Sequence, residues 1–247
     1  MPALLELRSV SKRFGQVVVA DGLSMTVHDG DAVGIVGPNG AGKTTLFGLV
    51  SGDVPADSGS ILLEGSDLGH TDPADRCRLG LGRTYQVPRP FEGMTVFENV
   101  LVAAQAGARL RGRSSHQRAM ASLERAHLGD QANRLAGSLG LLERKRLEVA
   151  RALATGPRVL LLDEVAGGLT DLEVAELVEI VRHAREEGMA VIWIEHVVRA
   201  LVATVDRLLC LAGGRFVADG PPHEVLDSAA VREVYLGADA SLAVRPA

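Results

Sequence analysis

"AVGIVGPNGAGKTTLFGLVSG", residues 32–52, decides the fold. AVGIVG is a short apolar run stopped by Gly-Pro-Asn-Gly, the pattern of a buried strand entering a turn. TTLFGLVSG, residues 44–52, reads as a helix closed by glycine. Between them GPNGAGKT, Gly37 to Thr44, matches G-x-x-x-x-G-K-[ST] in full, with a strand before it and a helix after. Glycines let the backbone curl so that successive N–H groups face one phosphate, and the helix N-terminus adds the positive end of its dipole. Lys43 supplies a point charge for the β- and γ-phosphates, and the Thr44 hydroxyl suits a magnesium ligand.

VLLLDE, Val159 to Glu164, is a second buried strand and ends in two acids. Asp163 is placed to hold the magnesium, directly or through water; Glu164 at the strand tip is placed to polarise an attacking water. IWIEH, Ile192 to His196, puts a histidine at the end of another strand. A lone histidine is usually structural. This one leaves the sheet on the same edge as Asp163, where open α/β sheets bind ligands, and a γ-phosphate contact is the better reading. Gln86 closes GRTYQ, residues 82–86, read as a short extended stretch. Its amide can reach magnesium or water and its backbone can hinge the helical insert, yet spacing alone also fits an ordinary loop residue.

Outward from these motifs, LLELRSV (4–10) and VVVADGLSMTV (17–27) read as strands around a turn at Phe14-Gly15, and SILLEG (60–65) as another. Asp72 before Pro73 suits an N-cap and a first helical position. Over residues 95–155 the pattern turns helical, in TVFENVLVAAQAG, SSHQRAMASLERAHL and ERKRLEVARALA. Alternation then returns: RVLLLD is a strand, DLEVAELVEIVRHAREEG a helix, MAVIWIEH a strand and VVRALVATV a short helix. DRLLCLAGGRFVADG carries Gly213-Gly214, a hairpin signal. Such alternation implies a mainly parallel sheet with helices on both faces.

Composition sets the class. The 247 residues are 47% hydrophobic and 23% charged, a globular balance, and only 3% aromatic, so the core must be largely aliphatic. A net charge of -5 argues against non-specific nucleic-acid binding as the main activity. Basic charge is almost all Arg, the lysines being Lys12, Lys43 and Lys145. Cys77 and Cys210 lie far apart without metal-ligand spacing, which suits a reducing cytosol. The opening MPALLELRSV has no basic n-region, so no secretory leader is expected there. No run approaches the ~18 apolar residues of a bilayer span.

Taken together the sequence resembles the ATP-binding subunits of ABC transporters over nearly its whole length. It is most similar to the ATPase subunits of branched-chain amino acid importers. The likeness is carried by GPNGAGKTT, RTYQVPRPFEGMTVFENVLVA, RLEVARALATGPRVLLLDE and IEH, and by the ending GRFVADGPPHEVLDSAAVREVYLG.

The resemblance implies an α/β P-loop NTPase fold of the ABC type. A mainly parallel core sheet would stand beside an antiparallel β subdomain. A helical subdomain, residues 87–155, would be inserted into one domain spanning 1–247. It implies ATP and Mg2+ as cofactors. Phe14 would stack on adenine, unless it is a core residue at a strand end. Gly37, Pro38, Asn39, Gly40, Ala41, Gly42, Lys43, Thr44 and Thr45 would form the phosphate loop. Thr44, Gln86 and Asp163 would surround the metal, Gln86 also coupling nucleotide to the membrane subunits. Glu164 would be the catalytic base and His196 the switch histidine, with Lys43 on the phosphates. AGGLTD, Ala166 to Asp171, would cross to the partner subunit, while Thr170 and Glu173 also make a local capping box.

The implied partners are membrane permease subunits, indirectly a substrate-binding protein, and a second ATPase subunit; no nucleic acid is expected. The implied location is cytoplasmic, peripheral on the inner face of the plasma membrane. A lipid or lipopolysaccharide export ATPase and a soluble non-transport ABC protein are the alternatives.

One element departs from the family. Anchored on RLEVARALA, its LSGGQ-like signature falls at LGLLE, Leu139 to Glu143. Gly140 lacks the hydroxyl, Leu141 and Leu142 stand in place of glycines, and Glu143 brings negative charge toward a polyphosphate. The helix N-terminus is still expected to offer N–H groups. Losing one or two charge-assisted hydrogen bonds costs roughly 1.5–3 kcal/mol each. A heterodimer with a subunit carrying the intact signature is therefore favoured over a homodimer.

Overall fold

A computed structural model describes residues 2–242, with side chains described through Tyr235. Met1 and the side chains of Leu236 and Gly237, which close the family-like ending, lie outside the described residues. The chain opens with β1 (Leu5–Phe14) and β2 (Val17–Val27), then β3 (Ala32–Val36), α1 (Lys43–Ser51), β4 (Ser58–Leu63), β5 (Ser66–Asp67), α2 (Pro73–Arg78) and β6 (Leu81–Arg83). Three helices come next, α3 (Val96–Ala106), α4 (Gly112–Arg125) and α5 (Leu141–Ala154). The chain then runs through β7 (Val159–Asp163), α6 (Asp171–Glu186), β8 (Ala190–Ile194) and α7 (Val198–Val202). It closes with β9 (Arg207–Ala212), β10 (Arg215–Gly220), α8 (Pro222–Asp227) and α9 (Ala229–Leu242).

The central sheet has six strands in the order β10-β9-β3-β8-β7-β6. It is parallel except for the β9–β10 hairpin at one edge. AVGIV, VLLLD and AVIWI are buried at every position, as strands covered on both faces must be. A separate antiparallel sheet, β2-β1-β4-β5, packs beside it. This is the mainly parallel core and antiparallel β unit expected from the sequence.

Three apolar clusters hold these layers. Leu7, Met25, Phe47, Leu161 and Ile192 join the antiparallel sheet and α1 to one face of the central sheet. Leu160, Leu162, Leu177 and Trp193 fill the other face. Val100, Leu123 and Leu147 hold α3, α4 and α5 to one another. Each fully buried side chain of this size contributes about 1.5–3 kcal/mol.

Local chemistry sets the helix starts. Asp72 accepts from Asp75 N at 2.8 Å with Pro73 beside it, and Thr95 with Glu98 and Thr170 with Glu173 form capping boxes.

The extended stretch is shorter than GRTYQ suggests: β6 ends at Arg83. The Thr84 hydroxyl accepts from Asp163 N at 3.1 Å, taking a donor that a longer strand would pair through its backbone. Between α4 and α5 the helical pattern is also broken, by 3-10 turns at Gly129–Gln131 and Ala136–Ser138 and by a bridge from Thr95 to Leu135.

Candidate active site

Four neighbouring strands deliver the candidate residues to one edge of the sheet. β3 ends in the glycine loop, β8 in Glu195 and His196, β7 in Asp163 and Glu164, and β6 leads to Gln86. The register fixes this: Ile35 pairs with Ile194, and Ile194 with Asp163.

The loop is built around its glycines. Gly42 caps α1 in a left-handed conformation (φ 99°), and a Cβ there would stand 2.4 Å from the Val19 carbonyl oxygen. No side chain caps α1, so its first N–H groups stay available to an anion. Ala41 N closes the turn onto the Pro38 carbonyl at 3.2 Å. Asn39, Gly40 and Thr44 are exposed and Thr45 is half-buried. Lys43 is buried, and its Nζ donates to the Gly37 and Pro38 carbonyls at 2.7 and 3.1 Å. Burial pushes this ammonium below its ordinary pKa, against the pull of Glu164 and Asp163.

Glu164 is held on every side. Its N–H donates to the Ile194 carbonyl at 2.9 Å and its own carbonyl accepts from Lys145 Nζ at 3.2 Å. His196 Nε2 lies 2.8 Å from Oε1, and Gln86 Nε2 donates to Oε2 at 2.5 Å. Its φ of 49° is a left-handed backbone for a residue with a Cβ, a strain of about 1–3 kcal/mol that these contacts hold in place. The bond from Gln86 uses the amide nitrogen, the end that cannot ligate a metal. Behind them Glu195, almost fully buried, accepts from Ala166 N at 2.5 Å and His196 N at 3.1 Å. Burial pushes its carboxyl above the usual range, and these backbone donors pull it back.

Asp163 is 1% exposed, and its Oδ1 has no hydrogen-bond partner among the described residues. Oδ2 faces the Arg83 guanidinium at 3.3 Å, which also reaches Asp53 and the Ser51 hydroxyl, each at 2.8 Å. Arg83 lies over the Tyr85 ring, 4.9 Å from its centroid. Burial raises the Asp163 carboxyl above its ordinary pKa, and Arg83 opposes that rise.

Thr44, Asp163 and Gln86 line a single cleft of about 520 Å³ that continues to Val87, Arg89, Glu148 and Arg151. There α5 grips the segment after Gln86. Glu148 Oε1 accepts from Arg89 N at 3.1 Å, and Arg151 donates to the Arg89 carbonyl at 3.0 Å while lying over Phe91. Val87 and Phe91 remain exposed.

Phe14 is 51% exposed with the Lys12 ammonium 5.4 Å from its ring centroid, so it is no core residue. At the start of α5 no side chain caps the helix, so the N–H groups of its first turn stay free as expected, but the Gly140 N–H just before them does not. Glu143 Oε2 accepts from Gly140 N at 2.8 Å, and Oε1 pairs with Arg134 at 3.0 Å. The Gly140 donor is therefore already taken within the chain. Leu141 is 50% exposed, and a Cβ added at Gly168 would stand 3.4 Å from its Cδ2.

Sequence reasoning missed Arg83, Lys145 and Glu195. A signal existed for each. Arg83 and Glu195 are charges at the ends of buried strands, and Lys145 falls on the same helical face as Val149 and Leu153.

Comparison with known proteins identifies the family. Residues 20–167 match the ABC transporter family model. Residues 217–241 match that of the branched-chain amino acid ATP-binding cassette transporter. The lipopolysaccharide export system ATP-binding protein LptB of Escherichia coli (strain K12) is 35% identical over 96% of this chain and 98% of its own. The high-affinity branched-chain amino acid transport ATP-binding protein BraF of Pseudomonas aeruginosa is 34% identical over 95% and 98%. The crystal structure of the ADP conformation of MJ1267, an ATP-binding cassette of an ABC transporter, superposes with a TM-score of 0.88. It is 29% identical, over 96% of this chain and 100% of that one.

Proposed function

The chain belongs to the ABC transporter family as an ATP-hydrolysing subunit, and from that premise we propose that it powers import of branched-chain or other amino acids through membrane permease subunits. The observation that carries the substrate class is the match of residues 217–241 to the branched-chain family model. No helix among the described residues is long and apolar enough to cross a membrane. The working location is the cytoplasmic face of the plasma membrane, bound to the permeases, with a substrate-binding protein acting from the far side. Lipopolysaccharide or lipid export is the second reading, favoured by the 35% identity to LptB. The test is reconstitution with the candidate permeases in vesicles. ATP-driven uptake of labelled leucine, lost in Glu164→Gln, is expected. ATP-driven release of lipopolysaccharide without uptake of any amino acid would overturn the assignment.

We infer the residue roles from the arrangement of the site. Glu164 polarises the attacking water as general base, and His196 orients its carboxylate and contacts the γ-phosphate. Lys43 leaves the Gly37 and Pro38 carbonyls for the β- and γ-phosphates, which the loop from Gly37 to Thr45 surrounds. Phe14 stacks on adenine. Thr44, Asp163 and the amide oxygen of Gln86 suit a magnesium ion: all three line one cleft, and Asp163 Oδ1 is a buried oxygen without a partner among the described residues. Bound there with ATP, magnesium would neutralise charge on the β- and γ-phosphates. The cleft running on to Val87 and Arg89 offers the path by which Gln86 passes that state to the permeases.

The partner that closes over this nucleotide is a different ATPase subunit with a glycine-rich signature. Leu141 stands exposed where an approaching phosphate needs open backbone, and Glu143 fills the Gly140 donor. In a homodimer both sites would be closed by leucine and a carboxylate.

A further inference from the structure

Gly37, the first residue of the phosphate loop, is held from the far end of the chain. Its N–H donates to the Tyr235 hydroxyl at 3.1 Å across 198 residues of sequence. Its carbonyl accepts from Lys43 Nζ at 2.7 Å. One glycine thus carries the tyrosine on its amide side and the phosphate-binding lysine on its carbonyl side. The position has no slack: φ is 153°, and a Cβ would stand 2.1 Å from the Leu211 carbonyl oxygen at the end of β9. Tyr235 rides on α9, which packs against α8 and β10, and it lies within residues 217–241. Burial pushes its phenol above the ordinary tyrosine range, so the hydroxyl stays neutral at physiological pH. A neutral hydroxyl accepts from Gly37 and keeps its own proton to donate.

We propose that Tyr235 is a positioning residue for nucleotide binding, its hydroxyl fixing the first peptide of the phosphate loop and so tying the C-terminal helix to the nucleotide site. The proposal rests on the reading of that loop as the nucleotide site. α1 has no side-chain cap, so the loop keeps its shape through its glycines, the Ala41 turn and the hydroxyl on Gly37. Loss of the hydroxyl leaves the Gly37 donor without its partner and lets the Gly37 carbonyl, the resting acceptor of Lys43, wander.

The test is titration of the full chain with a fluorescent ATP analogue and Mg2+, which needs no partner subunit. Tyr235→Phe removes only the hydroxyl, and Kd is expected to rise about three- to tenfold, the worth of one hydrogen bond. Arg232→Ala breaks an exposed pair with Asp227 from the same helix as Tyr235 and is expected to bind like the unaltered chain. A Kd for Tyr235→Phe within about threefold of the unaltered chain overturns the proposal, as does an equal loss in Arg232→Ala. Absence of binding by the unaltered chain would instead sink the reading of the site.

Discussion

His196 Nε2 and Glu164 Oε1 stand 2.8 Å apart, although 32 residues separate them. The contact exists because β7 and β8 are parallel neighbours, with Asp163 opposite Ile194, so the residues just beyond both strands emerge together. Gln86 completes the group from the next strand on. A carboxylate with one oxygen on an imidazole and the other on an amide has its orientation set before any nucleotide arrives.

Removing that carboxylate should abolish turnover and spare binding. Glu164→Gln is expected to lower kcat by about 10²–10⁴, the range for loss of a general base. His196→Ala should lower it less, since it leaves the base in place. Single-turnover hydrolysis in the assembled transporter reads both; turnover by Glu164→Gln at the unaltered rate contradicts the assignment.

Arg83 is the counter-ion of two carboxylates. Its side chain is 8% exposed and bridges Asp53 and Asp163, the second of which is itself 1% exposed. Arg83→Met leaves Asp163 buried without its paired guanidinium and with only the more distant Lys43 charge, a loss of up to about 3–5 kcal/mol in folding stability. Urea unfolding without nucleotide measures it, and a loss under about 1 kcal/mol would show that the pair carries little.

The loop glycines should differ in a way that sequence does not show. Gly40 and Gly42 both have positive φ, at 79° and 99°. A Cβ on Gly40 meets nothing within 4 Å, whereas one on Gly42 meets the Val19 carbonyl at 2.4 Å. Without nucleotide, Gly40→Ala should cost about 1–2 kcal/mol of backbone strain. Gly42→Ala should cost clearly more, because Val19 must also move. Equal melting temperatures for the two variants would contradict the packing described.

Glu195 gives a pH dependence with a definite sign. Burial raises its folded pKa above the ordinary 4.5, so in the window above 4.5 the folded chain binds more proton than the unfolded one. Stability from this group therefore falls as pH rises through that window. Glu195→Gln has no such proton to lose. Its melting temperature relative to the unaltered chain should climb as pH rises from about 4.5, whatever its starting offset. A difference that is flat with pH, or that falls, would remove the buried carboxylate from the account.

The sheet was legible because runs such as VLLLD and AVIWI are apolar at every position, which two covered faces require. The grouping of Glu164 and His196 was legible for a related reason: parallel strands release their C-terminal residues on one edge. Gln86 entered only through the family resemblance, since its spacing alone fits an ordinary loop residue. Arg83 and Lys145 stood out in sequence only as charges among apolar positions, and Tyr235 not at all; their partners are chosen by tertiary packing. Nothing local pairs Lys145 with the Glu164 carbonyl, or Tyr235 with Gly37. The early end of β6 turned on one hydroxyl, that of Thr84, which reads in sequence as one more β-branched residue. The start of α5 shows the same limit: LGLLE marks a departure from the family, but only the structure shows Glu143 on the Gly140 amide.

That helix start carries the central claim, that this chain supplies the phosphate loop, Glu164 and His196 and needs another subunit's signature to close over them. The most direct measurement is the solution mass of Glu164→Gln by light scattering, with and without Mg-ATP. The account predicts a chain that binds ATP yet stays monomeric alone, and pairs only when a subunit with an intact signature is added. An ATP-dependent dimer of this chain by itself would contradict it, showing that Leu141, Leu142 and Glu143 can close over a phosphate.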